Sequence, residues 1–336
     1  MRRGLLLVAF VLATVSCDEG AQRRTIDEWG LFVDPRTQSP APGVVPYAIV
    51  APLFSDHASK HRFIRLPEGE SIRVAADGTW EFPVGTVLVK TFGMPRDLRD
   101  PGAGERILET RLLVREAEGW RALVYVWDDA VSEAVLTPAG RRIRVETVGF
   151  DGAPLAFDYR VPSHTLCANC HGGDEPLHPL GPRTAQMDLD GQLERFAAMG
   201  MIPASPPRGA EIVDPFTADP AVPLEARARS YLHAQCGHCH RPDGDADQSG
   251  LFLHIEERSP EGLGICKLPV AAGRASGGRR VVIDPGNPDG SILIYRVEST
   301  EAGVKMPELG SSLVDVRGAA LLRRWIAEMP PRDCGI

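Results

Sequence analysis

The spacing of apolar positions divides the chain into three textures. Gly4 to Val15 is an unbroken apolar run of about a dozen residues behind Arg2 and Arg3. That is the length of a signal-peptide core, and it falls short of the roughly 20 residues a membrane-spanning helix needs. From about Thr25 to Val161 the pattern switches to short strand-like runs at Arg62–Leu66, Val87–Phe92, Arg106–Val114, Trp120–Trp127 and Arg142–Val148. Several are separated by turn pairs: Asp77-Gly78, Glu118-Gly119, Ala139-Gly140 and Asp151-Gly152. In one run Leu108, Thr110, Leu112 and Val114 alternate with Glu109, Arg111 and Leu113, the period of two expected of a half-buried strand. Strands at this density without intervening helical patterns predict a β-sandwich-like domain over residues 25–161.

Beyond Pro162 the period becomes helical. Leu193, Phe196 and Ala197 share a face over 192–199, with Gly200 placed to end that helix. Leu224, Arg227, Ala228, Tyr231 and Leu232 define a second amphipathic helix that runs into Cys236. Leu321, Leu322, Trp325 and Met329 define a third over 316–329. The expected organisation is a signal peptide at 1–16, the β domain at 25–161, a first module at 162–207 and a C-terminal domain at 214–330. The fold class is thus an all-β sandwich-like domain followed by mainly α modules.

Two cysteine motifs carry the chemistry of those modules: Cys167-Ala168-Asn169-Cys170-His171 and Cys236-Gly237-His238-Cys239-His240. Two thiols three positions apart on a helical turn can add to the two vinyl groups of a haem, and the adjacent histidine can ligate its iron. A zinc site or a redox thiol pair is the competing reading. Neither needs a histidine directly after the second cysteine, and here it occurs twice. Two covalently bound haem c groups are therefore expected at Cys167, Cys170, Cys236 and Cys239, with His171 and His240 as iron ligands, which makes 162–207 a first haem-binding module, 214–330 a C-terminal cytochrome c domain, and both of them mainly α cytochrome c-type haem modules. Met306, in Lys305-Met306-Pro307 before the last helix, is the candidate distal ligand opposite His240. For the first haem, Met187 and His178 compete with Met199, Met201, an open site or a ligand from the β domain.

The remaining cysteines have separate roles. Cys17 follows Thr14-Val15-Ser16 and is the expected lipid attachment site, so the protein is expected to be periplasmic or at the cell envelope, tethered by a lipid. Cys266 and Cys334 are left over in an exported chain, and a disulfide between them is expected. Removal of Arg2 and Arg3 with the signal leaves 35 basic residues against 45 acidic ones, a net charge of −10. No basic stripe with interleaved aromatics is present, which argues against nucleic acid as a partner. A redox partner protein is expected instead.

A wider resemblance rests on Trp29-Gly30-Leu31-Phe32, Pro52-Leu53-Phe54-Ser55-Asp56, Phe82-Pro83-Val84-Gly85-Thr86 and Glu109-Thr110-Arg111-Leu112-Leu113. It continues through Pro179-Leu180-Gly181-Pro182, Arg227-Ala228-Arg229-Ser230-Tyr231-Leu232 and Met306-Pro307-Glu308-Leu309-Gly310. On these residues the chain resembles a family of bacterial secreted two-haem c-type cytochromes with an N-terminal β domain. The resemblance spans nearly the whole mature chain and implies haem attachment at the four motif cysteines, with His171, His240 and Met306 on iron. It implies no defined substrate. The function expected is electron transfer; a two-haem peroxidase-like enzyme with an open first haem, or a surface protein that binds through its β domain, are the alternatives.

Overall fold

The structure, a computed structural model, describes residues 23–172 and 176–335. The expected signal segment 1–16 and Cys17 lie outside the described residues. A short hairpin of β1 (Phe32–Asp34) and β2 (Ser39–Pro40) leads into β3 (Val44–Pro46) and β4 (Ser59–Arg65). A second small hairpin, β5 (Arg73–Val74) and β6 (Trp80–Glu81), precedes β7 (Val87–Pro95), β8 (Glu105–Glu116), β9 (Gly119–Trp127) and β10 (Ala134–Leu136). Strands β10-β9-β8-β7-β4-β3 pair in that order into one antiparallel sheet, and β11 (Arg141–Val148) and β12 (Pro154–Val161) form a separate hairpin.

This arrangement corrects the sandwich expectation. Turn-separated strands announce antiparallel pairing but not the number of sheets. Here the long strands extend a single sheet, and the other pairs remain two-stranded. One face packs Val87, Val89, Leu112, Leu123, Tyr125 and Trp127 over Trp29 and Leu31 of the N-terminal segment. The other face places Phe92, Leu108, Val124 and Val126 against Ile143, Val145, Phe157 and Tyr159 of the β11–β12 hairpin. Strand β8 is therefore covered on both sides, and Glu109, expected to be half-exposed, is fully buried.

The mainly α haem modules are corrected as well. Few helices follow the sheet: α1 (His164–His171), α2 (Thr184–Met187), α3 (Gln192–Ala198), α4 (Leu224–Gln235), α5 (Ile292–Val297) and α6 (Val316–Glu328). Most of the chain between α4 and α5 is loop and 3₁₀ turn, because glycine and proline recur too closely there for a helical run to form. Among the described residues no helix is long and apolar enough to cross a membrane.

The two long helices, α4 and α6, share a core of Tyr231, Leu232, Leu322, Trp325 and Ile326, to which α5 adds Leu293 and Ile294. Their crossing depends on Gly318, where an added Cβ would come within 2.0 Å of the Tyr231 hydroxyl. Asp315 caps α6 by accepting from the Gly318 amide and also accepts from the Tyr231 hydroxyl at 3.1 Å. Cys266 and Cys334 are bridged, with their Cα atoms 5.1 Å apart, tying the tail after α6 back to the loop before α5.

Three glutamine side chains join these parts to residues 48–54. Gln192 accepts from the Ala48 amide at 2.8 Å and donates to its carbonyl at 3.1 Å. Gln186 does the same at Ala51, at 2.9 and 3.2 Å. Gln235, the last residue of α4, accepts from the Phe54 amide and donates to the Pro52 carbonyl. The Asp56 carboxylate then accepts from the Ser312 and Leu313 amides. Peptide groups in this segment, which no sheet neighbour serves, thus find buried partners.

Candidate functional site

The first motif lies on α1. Ser163 caps this helix by accepting from the Leu166 amide, and residues 167, 170 and 171 fall on one helical face. The helix packs on β9. Beside it opens a cavity of about 590 Å³, within the usual range for cofactor sites. Cys167, Cys170 and His171 line one part of it; Leu88, Leu113 and Leu123 of the sheet, and His233 and His238 from the end of α4, line others.

The second motif follows α4 directly, with Cys236 packed at the edge of the helical core. The fold carries it to the first motif. The sulfurs of Cys170 and Cys239 and a ring nitrogen of His238 all lie within 4.8 Å of one another. The Cys170 thiol is drawn well below the ordinary thiol range, chiefly because the Cys239 thiol hydrogen-bonds to it, and the same bond pushes Cys239 up. His238, beside the pair, acts in the same direction on Cys170.

Both motif histidines are held neutral. Burial lowers each to a pKa of about 4. His171 Nδ1 donates to the His178 carbonyl at 2.9 Å, which leaves Nε2 to act as the donor atom for a metal. His240 Nδ1 lies 3.4 Å from Ser249 Oγ, whose own proton goes to the Ala246 carbonyl, and the Leu251 backbone also hydrogen-bonds to the ring.

The other expected ligands fall in different places. Met306 shares a void of only about 20 Å³ with Cys236, Tyr231 and Leu313, so it is beside the second motif. The Arg296 carbonyl accepts from its amide at 2.9 Å and anchors that loop on α5. Met187 is not brought to the first motif. It is fully buried in α2, in a core with Trp80, Leu193 and Phe196, and its sulfur lies 3.9 Å from Gln192 Nε2. His178 lines the cavity, with Nε2 3.3 Å from an Arg241 guanidinium nitrogen. Met199 is exposed, and Met201 is buried in the same core as Met187.

Sequence reasoning missed two parts of the site. One is His238, a spacer position in the second motif. The other is a row of cations in the sheet: Arg62 pairs in register with Lys90, and Lys90 with Arg111, so all three share one face and line the cavity. The available signal was slight: Lys90 is a single charge in an apolar run, whereas Arg62 and Arg111 lie among other charged residues of β4 and β8. Comparison of the chain with protein-family models, curated proteins and solved structures finds no match.

Proposed function

We propose that the chain is a two-haem c-type cytochrome that passes single electrons between a haem at Cys167, Cys170 and His171 and another at Cys236, Cys239 and His240. The observation that carries this reading is the meeting of Cys170 with Cys239, residues 69 positions apart that belong to different haem-attachment motifs. Haems attached to adjoining cysteines are near neighbours, which favours rapid transfer between them. A haem at each motif would supply the ferric–ferrous change.

The chain's own residues hold and tune those groups. His171 presents a neutral Nε2 atom whose orientation is fixed through Nδ1, and His240 is held neutral beside Ser249. The cavity at the first motif is roomy, and its sheet side combines Leu88, Leu113 and Leu123 with Arg62, Lys90 and Arg111. At the second motif Met306 lies beside Cys236, and a haem there would require the 304–311 loop to move away from Cys236, because the present void holds about 20 Å³; Met306 is the thioether that loop would offer to the iron. A thioether opposite histidine raises the potential.

The test is haem content. The expected result is two haems per chain that stay with the protein after acidified-acetone extraction, with Met306→Ala changing the spectrum of one of them. A ratio of zero or one in fully matured protein overturns the proposal. The Cys170–His238–Cys239 cluster favours one other reading, a zinc-type ion held by two thiolates and an imidazole. It predicts a stoichiometric metal ion, and four thiols that react with iodoacetamide after denaturation and chelation; covalent haem predicts none.

A further inference from the structure

Strands β4, β7 and β8 place three long cations side by side in the middle of a sheet. Arg62, Lys90 and Arg111 are direct cross-strand neighbours, an arrangement that is unfavourable for like charges. Burial makes it worse: Arg62 is only 8% exposed. Its Nη2 has no hydrogen-bond partner, and its Nη1 reaches only the Lys60 carbonyl at 3.4 Å.

The carboxylates nearby are already committed. Glu109 is bound by Arg111 at 2.6 Å and accepts from the Tyr159 hydroxyl at 2.7 Å. Tyr47, which also lines the cavity beside Arg62, is held neutral by burial and offers no charge. The cavity's other acids are engaged elsewhere: Glu256 pairs with Arg183 at 2.5 Å, Asp77 accepts from Thr79, and Glu308 interacts with Lys305 and Arg296. Lys90 has an aromatic neighbour, the Phe92 ring centroid 4.9 Å from Nζ, which attracts a cation without neutralising it. Two buried cations thus face a cavity with no anion of their own. Leaving a buried charge without a partner costs several kcal/mol, whereas a carboxylate held by arginine or lysine gains charge-assisted hydrogen bonds.

We infer that Arg62 and Lys90, steadied by the Arg111–Glu109 pair, form the binding site for the propionate carboxylates of the haem attached at Cys167 and Cys170. This rests on the two-haem reading, and three further observations favour it. The row lines the same cavity as Cys167, Cys170 and His171. The rest of the sheet wall there is apolar, as a porphyrin face requires. A haem also carries two carboxylates on one edge, which suits two adjacent cations. Lys90, which burial would otherwise drive toward the neutral amine, stays charged against such a partner.

The alternative source of the same chemistry is a free carboxylate or oxyanion drawn from solution, and one experiment separates the two. Matured protein is first checked for two covalent haems, and both reduction potentials are then measured in the parent, Arg62→Leu, Arg62→Lys and Lys90→Met forms. The measurement is repeated with succinate and with phosphate. The expected result is that Arg62→Leu and Lys90→Met each shift one haem tenfold or more toward the ferric form, about 59 mV for a one-electron couple. Arg62→Lys should retain most of the parent value, the second haem should be unmoved, and neither anion should have an effect. A resonance Raman propionate-bending band that shifts in Arg62→Lys gives a second readout in a variant that keeps the charge.

Unchanged potentials and an unchanged propionate band overturn the inference while leaving the two-haem reading intact. A parent potential that responds to succinate or phosphate, with the response lost in Arg62→Leu, assigns the row to a free anion and also overturns it. Absence of haem at Cys167 and Cys170 removes the underlying reading, and this assignment falls with it.

Discussion

The surroundings of the two cysteine motifs differ in origin and in composition. The first sits on a helix of eight residues that buries no side chain of its own. Its cavity is built by distant parts of the chain: sheet strands from 47–123, the 178–186 loop and the end of α4. The second motif extends directly from a 12-residue helix whose apolar face belongs to a core closed by α5 and α6. One site is therefore assembled by the fold as a whole and is wide and cationic. The other is supported by its own neighbours and is tight and apolar. Two copies of one motif thus stand in different electrostatic surroundings, and under the two-haem proposal that difference would give electron transfer a direction.

If the first site is borrowed from the sheet, damage deep in the sheet should reach it. Glu109→Ala leaves the buried Arg111 guanidinium and Tyr159 hydroxyl without their partner. The expected loss is about 3–5 kcal/mol in urea unfolding, with faster hydrogen exchange in α1. A loss below about 1 kcal/mol would show that the charged row is not a structural support of the first site.

The second site offers the converse test. Replacing Cys266 and Cys334 together by alanine opens a bridge with a sequence separation of 68. The expected destabilisation is about 2–4 kcal/mol from unfolded-state entropy. Exchange should quicken in α6 and the 304–311 loop while β7, β8 and β9 keep their protection. Equal effects on both halves would break the comparison.

A smaller effect should come from α4, which serves both sites. Burial lowers His233 to a pKa of about 4, and its Nδ1 accepts from the Ile255 amide at 3.3 Å. Its folded pKa is depressed below the unfolded value of about 6.5, so the stability it contributes is present above that pH. That stability is lost as pH falls toward 4. His233→Gln should flatten the stability profile across this window, by up to about 1.4 kcal/mol per pH unit. An unchanged slope would show that His233 is already solvated or charged in the folded protein.

Local patterns made some of this legible in the sequence. The strand runs at 87–92 and 106–114 lie within β7 and β8, and the helical spacings around Phe196, Leu232 and Trp325 lie in α3, α4 and α6. These signals depend on side chains a few positions apart, so the chain carries them directly. What failed depends on what covers what. Glu109 reads as a solvent-facing position of an alternating strand until the β11–β12 hairpin brings Tyr159 over it from 50 residues away. Met187 lies at a plausible distance along the chain from His171, yet α2 turns it into a core with Trp80, Leu193 and Phe196 instead of toward the motif. Distance along the chain says how far a side chain can reach, not in which direction its backbone points. The cationic row was hidden for the same reason, since each residue is unremarkable within its strand and only pairing aligns the three.

The glutamine contacts to residues 48–54 have a consequence for how the chain can vary. Each amide group engages main-chain atoms, at Ala48, at Ala51, and at Pro52 with Phe54, so the contacts are indifferent to the side chains of the segment they grip. They are not indifferent to its length. The gripped amides recur every third residue, and inserting or deleting one residue would put the clasps on either side of the change out of step with each other. The segment works as a ruler, tolerant of spelling and intolerant of spacing, and it sets the distance between the sheet that walls one motif and the helix that ends at the other.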